Sequence, residues 1–146
     1  MDNYNTKSKH LLELSRLQKV RLRKYQKQML KERTDYLESE NKLELRLSQI
    51  NSIGDEKDNL RELQNQFFYA TSPLNMDKIK IRKYWLQYDM EMHEYYKNIE
   101  EEEKSNNHIK YISSKNKWIR ENQKTEIIDN LLREAVLLNS ESSEET

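Results

Sequence analysis

One glycine and one proline in 146 residues constrain this chain more than any motif does. Sheets are closed by tight turns that draw heavily on those two residues, and there are almost none to draw on. Long helices need neither. Leu, Lys, Glu, Gln, Arg and Met, which recur throughout the chain, are good helix formers. The fold class expected is all-α: an elongated, open helical hairpin of two long helices with a short helix between them, forming one extended unit over residues 1–146.

The boundaries follow from the few interruptions. Residues 1–6 read as frayed, and nothing breaks a helix from about Lys7 to Ser52. The Asn51-Ser52-Ile53-Gly54 stretch carries the one glycine, a candidate C-cap. Asp55 then opens a short helix to about Ala70, with Leu60, Leu63, Phe67 and Phe68 on one face. Ser72 as N-cap and Pro73 at the first helical position start a long helix that reaches Leu138, loosened around Ser105-Asn106-Asn107. Residues 139–146 (NSESSEET) are small and acidic, the composition of a disordered tail.

Within the first helix Leu22, Met29, Tyr36, Leu43 and Ile50 recur every seven residues. The companion ridge is Tyr25 followed by Glu32, Ser39 and Arg46. A two-stranded coiled coil wants both ridges apolar, so this pattern suits a helix laid along a surface better than a self-associating one. Apolar residues make up 34% of the chain against roughly 45–50% in an ordinary domain. So small a core strains to offset the entropy of ordering, roughly 1–2 kcal/mol per residue for the backbone alone, and a partner is expected to complete the order.

Charge points to that partner. The chain is neutral overall, yet residues 1–34 hold ten basic and three acidic residues, leaving 16 and 23 for the rest. At 100° per residue Arg16, Lys19, Arg23, Lys24, Lys27 and Lys31 share one arc of the first helix, with Arg21 alongside. Leu14, Leu22, Tyr25, Met29 and Tyr36 take the other side. A solvated basic face usually carries Glu at i±4; here no acid falls between Glu13 and Glu32. Such a face can run along a phosphate backbone and bind by counterion release. An anionic membrane surface or calmodulin would also attract a basic amphipathic helix.

A second pattern lies in the last helix: Ile81, Tyr84, Trp85, Tyr88, Met92, Tyr95, Tyr96 and Ile99 at i, i+3/i+4 spacing. Single-strand binders stack bases on rings presented by a sheet or groove; on a helix this spacing is that of packing against a neighbour. A further amphipathic patch comprises Ile127, Ile128, Leu131, Leu132, Ala135 and Leu138. The protein-packing residues expected are Leu22, Met29, Tyr36, Ile81, Trp85, Tyr88, Met92 and Leu131.

Enzyme chemistry has no foothold here, and neither a cofactor nor a small-molecule substrate is expected. His10, His93 and His108 are too scattered to pair on a metal. One glycine cannot build a phosphate loop, and no nucleophile sits in a recognisable motif. The run Glu100-Glu101-Glu102-Glu103 reads as a solvated acidic patch. No run of about 18 apolar residues offers a membrane span, so no membrane partner is assigned. Without cysteine the chain fits a reducing compartment. Its Lys/Arg- and Ser/Leu-rich start resembles a mitochondrial targeting helix and would serve equally as a basic arm.

The block Arg16–Leu47, with RLQKVRLRK leading into DYLESENKLELRL, resembles the central helix of the fungal PET-class mitochondrial small-ribosomal-subunit proteins, number twenty-six in the mitochondrial-specific series. The later segments KIKIRKYW and WIRENQKTEIIDNLLREA are similar to that family and its animal counterparts in the same order. The resemblance implies a non-catalytic component of the mitochondrial small subunit in the matrix. It would dock Arg16, Lys19, Arg21, Arg23, Lys24, Lys27 and Lys31 on small-subunit ribosomal RNA and its aromatic helix on other mitochondrial ribosomal proteins. The residues matched directly to the family block are Arg16, Lys19, Arg21, Arg23 and Lys24. The other reading the sequence allows is a coiled-coil adaptor subunit of a nuclear or cytoplasmic complex.

Overall fold

A computed structural model describes the backbone of residues 2–66 and 73–144, and the side chains of residues 6–66 and 75–141. It holds two α-helices, α1 (Asp2–Gln66) and α2 (Pro73–Glu144), and no strand among the described residues. They contain 65 and 72 residues. Pro73 opens α2 as its spacing before a helical run predicts; the N-cap assigned to Ser72 lies outside the described residues.

Four boundaries differ from expectation, the first being the start of α1 at Asp2, where residues 2–6 read as frayed in the sequence. No separate helix opens at Asp55, because α1 continues unbroken through Gly54 to Gln66; the remainder of that expected helix, 67–70 with Phe67 and Phe68, lies outside the described residues. A helical glycine costs only about 1 kcal/mol relative to alanine, and Gly54 does not take the positive φ that a C-cap needs. Packing decides instead: Ile50, Ile53, Lys57, Leu60 and Gln64 keep their 3–4 spacing on the covered side. The helix likewise persists across Ser105-Asn106-Asn107. It also runs into the acidic end, as far as Glu144, where 139–144 were expected to be disordered; residues 145–146 lie outside the described residues. Gly54→Ala is therefore expected to stabilise the protein by about 0.5–1 kcal/mol, since the added Cβ would meet only Met90 Cε at 4.0 Å. A rise in the urea midpoint checks this; a fall would mean the helix breaks there in solution.

Contacts divide the chain into two compact units, one of residues 1–34 with 108–146 and the other of residues 35–107. In each, a segment of α1 packs antiparallel on a segment of α2. In the first unit the covered positions of α1 are Leu11, Ser15, Gln18, Leu22, Tyr25, Met29 and Glu32. Those of α2 are Tyr111, Ser114, Trp118, Glu121, Thr125, Ile128, Leu132 and Ala135. In the second they are Tyr36, Ser39, Leu43, Arg46, Ile50, Ile53, Lys57 and Leu60 on α1, with Leu86, Met90, His93, Lys97, Glu100 and Lys104 on α2.

These are alternating three- and four-residue steps, the spacing of a coiled-coil seam. The polar ridge that argued against such a seam in the sequence lies inside it. Polar positions are tolerated there because each finds a partner, some across the seam and others, such as Ser39 on Tyr36 O and Thr125 on Glu121 O, within their own helix. Ser114 Oγ donates to Glu32, and Gln18 Nε2 donates to Glu121 Oε2 at 2.7 Å and to its backbone O at 3.1 Å. Ser15 Oγ reaches Asp129 Oδ1 at 3.3 Å, and Arg46 takes Glu100. Only Leu43 and Leu86 are buried apolar residues among those described.

Candidate nucleic-acid interface

Folding sorts charge between the units. The first contains 16 basic and 10 acidic residues, a net +6; the second contains 10 and 16, a net −6. In the first, the seam of α1 turns Leu22, Tyr25 and Met29 toward α2 and leaves the opposite side free. Arg16, Lys19, Arg21, Arg23, Lys24, Lys27 and Lys31 are all exposed. None makes an ion pair within the described residues. Leu17 and Val20, 69% and 65% exposed, are interleaved with them. A phosphate backbone could thus meet Lys/Arg heads without displacing an internal partner, while the two aliphatic groups would face the sugars or bases.

Arg21 sits at the edge of this face. Glu121, buried in the seam, has its carboxyl held below the usual range mainly by the hydrogen bond from Gln18, then by Lys124 and Arg21. Arg21 is thus spent in part on its own fold, whereas Arg16, Arg23 and Lys27 are not. The α2 segment of the same unit adds exposed Lys110, Lys115, Lys117 and Arg120. Sequence reasoning missed these four; a count by folded unit, rather than along the chain, would have found them. Trp118 Nε1 is buried with no hydrogen-bond partner among the described residues, and it lies in the seam away from this face.

The second unit is built around one ion pair. Arg46 Nη2 lies 2.9 Å from Glu100 Oε1 and its Nε 3.2 Å from Oε2. Its Nη1 is 2.8 Å from His93 Nδ1, and the guanidinium sits 5.2 Å from the Tyr96 ring centroid. Glu100 raises the Arg46 pKa further above its already high ordinary value. The Glu100–Glu103 run is consequently not one solvated patch: Glu100 is 4% exposed, Glu101 pairs with Lys97 at 3.8 Å, and Glu103 pairs with Lys42 at 3.6 Å.

The packing residues part company. Leu22, Met29 and Tyr36 are half-buried in the seams, and Met92 is partly covered. Ile81, Trp85 and Tyr88 are 58%, 51% and 48% exposed, and Leu131 is 46% exposed in the other unit. No group of three or more potential metal ligands occurs among the described residues, and no described helix is long and apolar enough to cross a membrane. No family model, curated protein or solved structure matches the chain.

Proposed function

We propose that this protein is a non-enzymatic helical component of a ribonucleoprotein, the mitochondrial small ribosomal subunit, and that it lays the outer face of α1 along ribosomal RNA. The observation that carries the reading is the set of exposed Lys/Arg side chains opposite the α1 seam, Arg16, Lys19, Arg23, Lys24, Lys27 and Lys31, with Arg21 at the edge, none in an ion pair among the described residues. An assembly of that kind supplies the polyanion such a face requires, and binding should weaken with salt as counterions are restored. The particle is named by the sequence resemblance of Arg16–Leu47; the matrix is the compartment that goes with it. Other mitochondrial ribosomal proteins would cover exposed apolar side chains such as Leu131.

Converting Arg16, Lys19, Arg23 and Lys27 together to glutamine tests this. The slope of log affinity against log salt for RNA is expected to fall by about 3, at roughly 0.7–0.9 per phosphate contact. In a sucrose gradient of mitochondrial lysate the wild-type protein should travel with the small subunit, and the variant should stay near the top at moderate salt. A wild-type peak near the top would discard the proposal.

The exposed aromatic residues of the second unit favour the alternative, an adaptor subunit of a nuclear or cytoplasmic complex. There the same variant would leave assembly intact.

A further inference from the structure

The aromatic stripe expected to pack on a neighbour faces away from α1. In the second unit α2 turns Leu86, Met90, His93, Lys97 and Glu100 toward α1. Tyr84, Trp85, Tyr88, Tyr95, Tyr96 and Ile99 stay 43–67% exposed. Edge-on contacts tie the rings to one another, with Tyr84–Trp85 centroids at 5.8 Å, Trp85–Tyr88 at 6.0 Å and Tyr95–Tyr96 at 5.6 Å. Five rings of roughly 150–250 Å², each about half open, leave on the order of 500 Å² per copy. A strip of that size is near the upper end for the largest apolar patch of a soluble monomer, and such patches are often contact sites.

The order of residues along the strip says what covers it. Lys78, Ile81, Trp85, Tyr88, Met92, Tyr95, Ile99 and Glu102 step by three and four, a second seam opposite the first. This series reads the same in both directions about Met90. Ile81 mirrors Ile99, Trp85 mirrors Tyr95, Tyr88 mirrors Met92, and Lys78 mirrors Glu102. Tyr84 and Tyr96 on the flanks mirror each other too. An antiparallel seam places first-ridge residues against second-ridge residues of the partner helix, and a two-fold axis repeats every contact. A second copy turned end for end would therefore set Tyr88 against Met92 on either side of the axis and Trp85 against Tyr95 just beyond. At each end the Lys78 ammonium of one copy would meet the Glu102 carboxylate of the other. Neither group makes an ion pair among the described residues.

We propose that the outer face of α2 between Lys78 and Glu102 is a homodimer interface, two copies pairing antiparallel about a two-fold axis at Met90. The area is sufficient: the two strips together bury about 1,000 Å², the lower bound for a specific interface. Asp89 and Glu91 flank the axis, so each copy brings two carboxylates near the same two of its partner. The pair is accordingly stronger when that charge is reduced. The inference depends on reading this face as a protein contact and not on the RNA contact of the other unit.

Sedimentation equilibrium of the purified full chain without RNA, at 150 mM salt and 1–100 μM protein, tests it. The wild type and the Arg16/Lys19/Arg23/Lys27→Gln variant are both expected to dimerise. Trp85→Ala is expected to raise the dissociation constant by roughly thirty-fold or more, as loss of a central aromatic anchor does. It should leave helical circular dichroism unchanged, since Trp85 is outside the fold's own seam. Lys78→Glu and Glu102→Lys are each expected to weaken the dimer, and the double exchange to restore it. The two residues lie about 36 Å apart in one helix, so restoration can arise only between copies. A monomer at 100 μM overturns the proposal and leaves the face to a different protein. So does a dimer that survives Trp85→Ala, or one in which the double exchange fails to recover.

Discussion

Replacing Arg46 with alanine is expected to destabilise the protein by about 2–3 kcal/mol, because it leaves Glu100 buried without a cation. The carboxylate keeps only 4% of its surface in contact with water. Once the guanidinium is gone, it must protonate, drag the helices apart or sit unsolvated. At this chain length the change corresponds to roughly 4–10 °C in Tm. Lysine is not an adequate substitute, since one ammonium cannot bond Glu100 twice, reach His93 and lie against the Tyr96 ring together. Removing both charges is a different matter. Arg46→Leu with Glu100→Leu is expected to recover wild-type stability or exceed it, as happens when buried pairs are replaced by apolar residues of similar size. Urea titration followed by helical circular dichroism measures all four proteins. A single alanine variant within 0.5 kcal/mol of wild type would show that solvent reaches Glu100 freely.

The second large effect belongs to Leu86, which among the described residues is the one side chain essentially closed to solvent, at 1% exposure. Leucine-to-alanine changes at such sites cost about 2–5 kcal/mol. With Leu43 as the other buried apolar residue, few neighbours exist to collapse into the hole. Loss of about 3 kcal/mol is expected, which speeds hydrogen exchange of surrounding amides about 100-fold where exchange follows opening of that unit. Trp85, its neighbour in sequence, points the other way. Alanine there is expected to alter monomer stability by less than 0.5 kcal/mol, as at other exposed positions. Equal acceleration by both variants would refute the assignment of inside and outside on α2.

That contrast shows which parts of the molecule were legible. Helicity was, because one glycine and one proline leave the chain no other vocabulary, and so was the start of α2 at Pro73. The heptad ridge from Leu22 to Ile50 was visible too. Its meaning was not, since Glu32 and Arg46 look like solvent residues until Ser114 stands across from the first and His93 and Glu100 across from the second. Polar seams hide from hydropathy: each half is unremarkable alone, and complementarity exists only in the pair. The stripe from Ile81 to Ile99 could be read as a packing face, but only the folded pair shows that this most apolar face of α2 is not the one turned to α1. Gly54 misled because a lone glycine is weak punctuation when Ile53, Lys57 and Leu60 continue the packing on either side. The basic face of α1 could be placed from periodicity, whereas its reinforcement by Lys110, Lys115, Lys117 and Arg120 required knowing which segments fold together.

The matched polar partners have one more effect, on alignment. Two long zippers with greasy teeth alone would close almost equally well after sliding by seven residues, about 10 Å. Here a slide in one direction would set Glu32 against Glu121, Gln18 against Ile128 and Arg46 against Asn107. Each mismatch strands a charge or an amide, so misaligned closures are disfavoured and the chain is directed to one zippering.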